Sequence, residues 1–180
     1  MEEKIQRCYQ LKNRFISEQK LSAKFDLMIG ELFFHLTKKL SALQVYEKMI
    51  ETYPAEKEYC AIAQIRIAEI YTDFGQHEQV IKSFLKVVVN YPDQHKWVNE
   101  ALEKILDLVK EEDAYSTIAA YRNIIGKYSH YPRLAARAHL KIGQLLIQQK
   151  AFQEAIEELL LINNNYPGKH AEILCSPGLG

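Results

Sequence analysis

The chain has 180 residues, 48% of them hydrophobic, and its 23 basic residues balance 23 acidic ones. That is ample apolar material for a buried core, and it gives no strongly basic domain or recognised motif of the kind that holds nucleic acid. No apolar run approaches the roughly 20 residues that a membrane span needs, and the start, MEEKIQRCYQ, lacks the apolar segment of a signal peptide. A cytoplasmic location is therefore expected, with a periplasmic one left open should the chain be a piece of a longer protein.

Taken in order, residues 2–19 read as one helix, with Ile5, Cys8, Leu11, Phe15 and Ile16 turned inward. Four helical hairpins follow, at 22–37 with 39–52, 57–74 with 77–90, 96–111 with 114–128, and 133–149 with 152–164. The second shows the pattern best. Ile65, Ala68, Ile70 and Tyr71 fall at helical spacing, as does Ile67 with Tyr71, and Val80, Ile81, Phe84, Val87 and Val88 do the same. Gly75 lies between the halves, where a turn favours a residue tolerant of positive φ. Pro92 should stop the second helix near Tyr91. Asp93 is placed to cap the helix after it. Beyond Pro167, residues 170–174 allow one helical turn, and Pro177 with the glycines at 178 and 180 breaks it. Cys8, Cys60 and Cys175 form no disulfide framework; the first two, inside helical stretches, are expected to be buried free thiols.

The hairpins repeat one register. Aligned on Ala68, the slot opposite the second helix holds Gly30, Ala68, Ile105 and Gly143, in steps of 38, 37 and 38. One turn later come Phe33, Tyr71, Leu108 and Leu146. Ala42, Val80, Thr117 and Ala155 open the second helices, and Tyr46, Phe84, Tyr121 and Leu159 follow, then Met49, Val87, Ile124 and Ile162. Tyr53, Tyr91, Tyr128 and Tyr166 close the units. Pro54, Pro92 and Pro167 follow three of these tyrosines, while Ser129 follows the other and Pro132 comes three residues later. Ile105, where a small residue is expected, predicts wider helix packing in the third hairpin. Helix 2–19 matches a second helix, since Ile5 to Leu43 and Phe15 to Tyr53 are each 38 apart. It is either a cap over the first hairpin or half of a preceding unit.

These slots resemble the tetratricopeptide repeat, through Ile29-Gly30, Phe33, Ala42, Tyr46 and Pro54, then Ile67-Ala68, Tyr71, Phe84 and Pro92, then Ile142-Gly143, Ala155 and Pro167. The opening Trp of that pattern is absent, with Asp26, Gln64 and His139 in its place, and the period exceeds the usual one of about 34. The longer period and Tyr-Pro endings resemble the subgroup found in bacterial envelope proteins. The resemblance spans roughly residues 22–167. It implies an all-α fold, a right-handed alpha-alpha superhelix of about four hairpins plus an N-terminal helix. The chain is then one solenoid domain: a cap or half-repeat at 1–21, repeats at 22–54, 60–92, 97–132 and 136–167, and an irregular tail at 168–180.

The resemblance also implies that first helices line a concave groove. One column then reads Leu27, Ile65, Leu102 and Leu140, and a second Phe34, Thr72, Val109 and Ile147, among Glu31, Arg66, Glu69, Glu103, Lys141 and Gln144. Such a groove suits an extended peptide or an amphipathic helix. The plainer reading is that the Leu/Ile column packs hairpin on hairpin. Chaperone-binding members hold a peptide carboxylate with Lys, Arg and Asn at set positions, which here are Leu27, Glu31, Arg66, Asn99, Glu103, Arg137 and Lys141. The first-unit Lys and Asn are missing, so that activity is not expected.

No catalytic residues are assigned, and no cofactor or metal is expected. His35, His77, His95, His130, His139 and His170 lack partners at zinc-ligand spacing. There is no phosphate-binding Gly loop or nucleophile elbow. Glu111-Glu112-Asp113 reads as a solvated turn. The sequence thus points to a non-enzymatic scaffold that binds a protein or peptide partner, with no nucleic acid and no membrane span. The alternatives are a structural subunit self-associating through its apolar terminal helix, where Leu159, Leu160, Leu161 and Ile162 spread over a wide arc, and an accessory fragment of an envelope assembly factor.

Overall fold

The computed structural model describes residues 2–166. All regular structure among them is α-helical: α1 (Glu2–Arg14), α2 (Gln19–His35), α3 (Lys39–Thr52), α4 (Lys57–Asp73), α5 (His77–Asn90), α6 (His95–Leu108), α7 (Ala114–Lys127), α8 (Pro132–Gln148) and α9 (Phe152–Asn165). The protein is all-α, and its helices pack in consecutive pairs. It divides into two compact units, the boundary falling inside α6 after Ala101.

In the first unit α1 packs on α2, α2 on α3, α3 on α4 and α4 on α5, and α2 also touches α4. Ile5 and Cys8 of α1 meet Ile29 of α2 in one apolar cluster. Ala42, Tyr46, Met49 and Tyr53 of the second helix meet Ala63, Ile67 and Ile70 of the next first helix in another. In the second unit α7 packs on α8 and α8 on α9, with Ala136 and Ile162 at the centre of a cluster that Leu140, Leu159 and Tyr166 complete. Within each unit, one hairpin thus covers apolar surface that its neighbour would otherwise leave wet.

Two of the small slots show why they are small. A Cβ on Gly30 would overlap the ring of Tyr46, and one on Gly143 would come within 2.8 Å of the Leu159 side chain. The large residue of the second helix therefore lies directly on the backbone of the first. Ile105, in the same slot of the third hairpin, is fully buried.

Both kinds of helix end repeat. After α2, α4 and α8, one residue takes positive φ: Thr37 at 58°, Gly75 at 67° and Lys150 at 63°. The next N–H then reaches back five residues, Lys38 to Phe33 O, Gln76 to Tyr71 O and Ala151 to Leu146 O, each at 3.0 Å. This is the left-handed closure that satisfies orphan helix carbonyls. After α3, α5, α7 and α9 the closing residue is Tyr53, Tyr91, Tyr128 or Tyr166, whose N–H donates to the carbonyl four residues back. The first three then accept at their own carbonyls from Glu56, Gln94 and Tyr131, at 3.0, 3.0 and 2.9 Å. The third turn forms without a proline behind its tyrosine, and Pro132 instead opens α8, where its missing N–H costs nothing.

Several expected details need correction. The first helix stops at Arg14, not at 19, because residues 15–17 turn the chain into α2; Phe15 and Ile16 are exposed, at 37% and 72%, rather than inward. Ser22 Oγ holds that turn by donating to Phe15 O at 3.1 Å. α6 stops at Leu108 rather than 111, so Val109 lies in a turn. Asp93 does not open α6: the carbonyl of Gln94 accepts from Trp97 and Val98 N–H, while Asp93 lies 3.8 Å from Lys57 Nζ. Cys8 and Cys60 are buried free thiols as expected. The tail from Pro167, with His170 and Cys175, lies outside the described residues.

Candidate interaction face

The residues singled out on the first helices fall into two sets, one in each unit. In the first unit, Arg66 projects from α4 toward α2. Its Nε donates to Glu31 Oε1 at 2.7 Å, and its Nη1 donates to Glu69 Oε2, one turn along its own helix, at 2.8 Å. All three side chains remain about a third exposed, at 27%, 35% and 30% for Glu31, Arg66 and Glu69. Burial opposes the Arg66 charge, but the two carboxylates more than compensate and hold its pKa above the ordinary value. Beneath them the Tyr46 hydroxyl is buried without a hydrogen-bond partner. Burial, with the negative charge of Glu31, pushes that phenol well above its usual range.

In the second unit, Glu103 of α6 receives two cations from α8. Its Oε1 accepts from Arg137 Nε at 2.6 Å, and its Oε2 accepts from Lys141 Nζ at 2.8 Å. Burial alone would raise the Glu103 carboxyl; the hydrogen bond from Lys141 and the charge of Arg137 outweigh it and hold the pKa below the ordinary value. Lys141 and Gln144 are partly exposed, whereas Arg137 is buried. In both units, then, a carboxylate and a guanidinium tie one first helix to the next first helix.

The apolar members of the expected groove are placed differently from the charged ones. Ile65 and Leu102 are 2% and 4% exposed, so they are core side chains and present no surface to a ligand. This corrects the reading of them as groove anchors: they pack helix on helix, as the plainer alternative held. Leu27 and Phe34 lean on the cluster around Tyr46 and Met49 and are partly exposed. Leu140 leans on the Ala136–Ile162 cluster. Thr72 and Ile147 are exposed.

The sequence reading missed a set of polar side-chain pairs that reach into the interior. Lys12 Nζ donates to both oxygens of Asp26, at 2.7 and 2.5 Å, and lies 5.7 Å from the centre of the Tyr53 ring. Burial opposes the Lys12 charge, but Asp26 keeps its pKa above the ordinary value. His139 Nδ1 lies 2.6 Å from Glu158 Oε1, with both residues buried, and Arg122 Nη2 donates to Glu158 Oε2 at 3.4 Å. The signal was present: Asp26, Gln64 and His139 occupy the slot where the resemblance expects Trp, and all three are buried. A polar side chain on an apolar stripe implies a buried partner.

Among the described residues no three His, Cys, Asp or Glu side chains gather as a metal site, and no helix is long and apolar enough to cross a membrane. Neither a scan against protein-family models nor a search of the curated proteins finds a match to this chain.

Proposed function

We propose that the protein is a non-enzymatic protein-interaction module of the tetratricopeptide type, which holds a peptide or helix of a partner protein along its first helices. The observation that carries this reading is the pairing of first helix with first helix, Glu31 with Arg66 and Glu103 with Arg137. Within each unit it supports a first helix laid beside the next first helix, with partly exposed charges at their shared face. The apolar contribution falls to the partly exposed Leu27 and Phe34, and selection to Glu31, Arg66, Glu69, Lys141 and Gln144. Charges of both signs at such a face set register and reject wrong partners more than they add affinity.

The test is site-specific photocrosslinking from Phe34 and from Gln144 in the full chain, with the captured partner identified and then titrated. Arg66→Glu and Lys141→Glu are expected to weaken that partner about tenfold each, the loss of roughly 1.4 kcal/mol per charged contact, with the helical circular dichroism unchanged. A partner whose affinity ignores both reversals would sink the proposal.

A further inference from the structure

The outward face of α9 is unlike that of the other second helices. Phe152, Ile156 and Leu160, spaced by four, are 58%, 53% and 52% exposed. They form one stripe beside the partly buried Leu159. By register Ile156 and Leu159 correspond to Leu43 and Tyr46 of α3, and those two residues belong to the cluster that Ala63, Ile67 and Ile70 of α4 complete. Ile118, the equivalent in α7, is 5% exposed. The same face is thus a helix-packing surface in α3, where a four-turn helix lies along it. α9 alters that surface: where α3 has Lys39, which pairs with Asp73 of α4, α9 has Phe152; where α3 has the exposed Glu47, α9 has Leu160; and where α3 has Ile50, which leans on the same cluster, α9 has Asn163.

Charge narrows the occupant. α9 contains Glu154, Glu157 and Glu158 and no Lys or Arg. Glu158 is held inward by His139 and Arg122, which leaves Glu157 exposed at the rim of the stripe. Two copies of α9 laid face to face would oppose acidic rims. A helix with basic flanks would complement them.

We infer that the stripe of Phe152, Ile156 and Leu160 on α9 is a docking surface for an amphipathic α-helix of a partner protein, about four turns long, with small and β-branched residues at i, i+4 and i+7 and basic residues at its flanks. It is a separate surface from the first-helix face, and neither proposal depends on the other.

The probe is a synthetic 17-residue helical peptide with Ala, Ile and Ile at i, i+4 and i+7 and flanking lysines, titrated by fluorescence anisotropy against the full chain. A second peptide keeps the apolar stripe and replaces the lysines with glutamates. The expected result is saturable binding of the lysine peptide. It should weaken at least about tenfold with Ile156→Ser or Leu160→Glu, since each removes an aliphatic side chain that the docked helix would bury. It should weaken several-fold with Glu157→Lys, and the glutamate peptide should show the reverse preference. Arg66→Glu should leave it unchanged. Because Ile156, Glu157 and Leu160 are surface residues, these variants should keep the parent thermal transition, and that is measured alongside. Absence of binding, as would follow if residues beyond Tyr166 of the same chain covered the face, overturns the inference. So does binding indifferent to Ile156 and Leu160. So does concentration-dependent sedimentation abolished by Leu160→Glu, which would make a second copy the occupant.

Discussion

After α4 the chain reverses through three residues, Phe74 to Gln76, whereas after α6 it takes five, Val109 to Asp113. The short connection is made by the backbone. Gly75 takes positive φ, and N–H groups of Gly75 and Gln76 close on Thr72 O and Tyr71 O. The long one leans on side chains. Val109 and Lys110 make only long bonds to Leu106 O and Asp107 O, at 3.3 and 3.4 Å. Asp113 accepts from Ser116 N–H at 2.9 Å, and the Thr117 hydroxyl both accepts from Glu111 N–H and donates to Glu111 O. The hydrogen bond from Ser116 also holds the Asp113 carboxyl below its ordinary pKa. α6 is accordingly 14 residues long, against 17 for α2, α4 and α8. The lesson is that one register position can be closed either by a left-handed residue or by a capping side chain, and the two are vulnerable to different substitutions.

The comparison presumes that both connections deliver the next helix in the same register, so that Phe84 and Tyr121 fill equivalent core slots; they are 2% and 4% exposed. Phe84→Ala should therefore have the largest effect, about 3–5 kcal/mol as for other buried aromatics, read by chemical denaturation of the full chain. A loss below about 1 kcal/mol would break the register and the comparison with it. Next in size, Asp113→Ala should cost about 1 kcal/mol, the usual worth of a helix N-cap. The matching change at the short turn, Gln76→Ala, should be nearly silent, because Gln76 makes no side-chain cap on α5. Equal losses at the two positions would mean that the side chains of the long turn carry no special share.

Much of this architecture was legible from residue types. Periodicity, Gly75 and the Tyr-Pro endings place both ends of eight of the nine described helices within about three residues, because proline and left-handed glycine act locally on the backbone. The second helices were read best, since each has one apolar stripe. The first helices were read worst at the site. In α4, Cys60, Ala61, Ala63, Gln64, Ile65, Ile67, Ala68 and Ile70 are all buried, and a helix covered on most sides has no periodic signal to separate a groove residue from a packing one. That is why Ile65 and Leu102 were expected at a surface they do not reach. The charged residues could be placed on that face but not paired, because Arg66 and Glu31 meet only after two helices have packed. Of the exposed stripe on α9, only Leu160 belonged to the apolar arc read in the sequence, Leu159 to Ile162; Phe152 and Ile156 join it only once the fold shows which side of the helix is uncovered.

Left-handed residues at the short turns were legible only where glycine announces them. Thr37 and Lys150 occupy the same register position as Gly75 with φ of 58° and 63°, a conformation that costs an L-residue roughly 1–2 kcal/mol. Lys150→Gly should relieve that cost and give back part of it, about 0.4–1 kcal/mol, to the greater freedom of glycine in the unfolded chain. A net gain of about 0.5–1 kcal/mol is expected in denaturation midpoints at unchanged slope. Thr37→Gly should gain at least as much, because a β-branched side chain is poorly tolerated at positive φ, and its hydroxyl donates only to the adjacent, exposed Leu36 carbonyl. Glu112 is the register equivalent in the long turn, and among the described residues other than glycine only Thr37 and Lys150 have positive φ. Glu112→Gly should therefore lose stability through unfolded-state entropy alone. Opposite signs at Lys150 and Glu112 would confirm that the third hairpin has exchanged backbone closure for side-chain closure, while a gain at both would mean that the long turn is strained in the same way as the short ones.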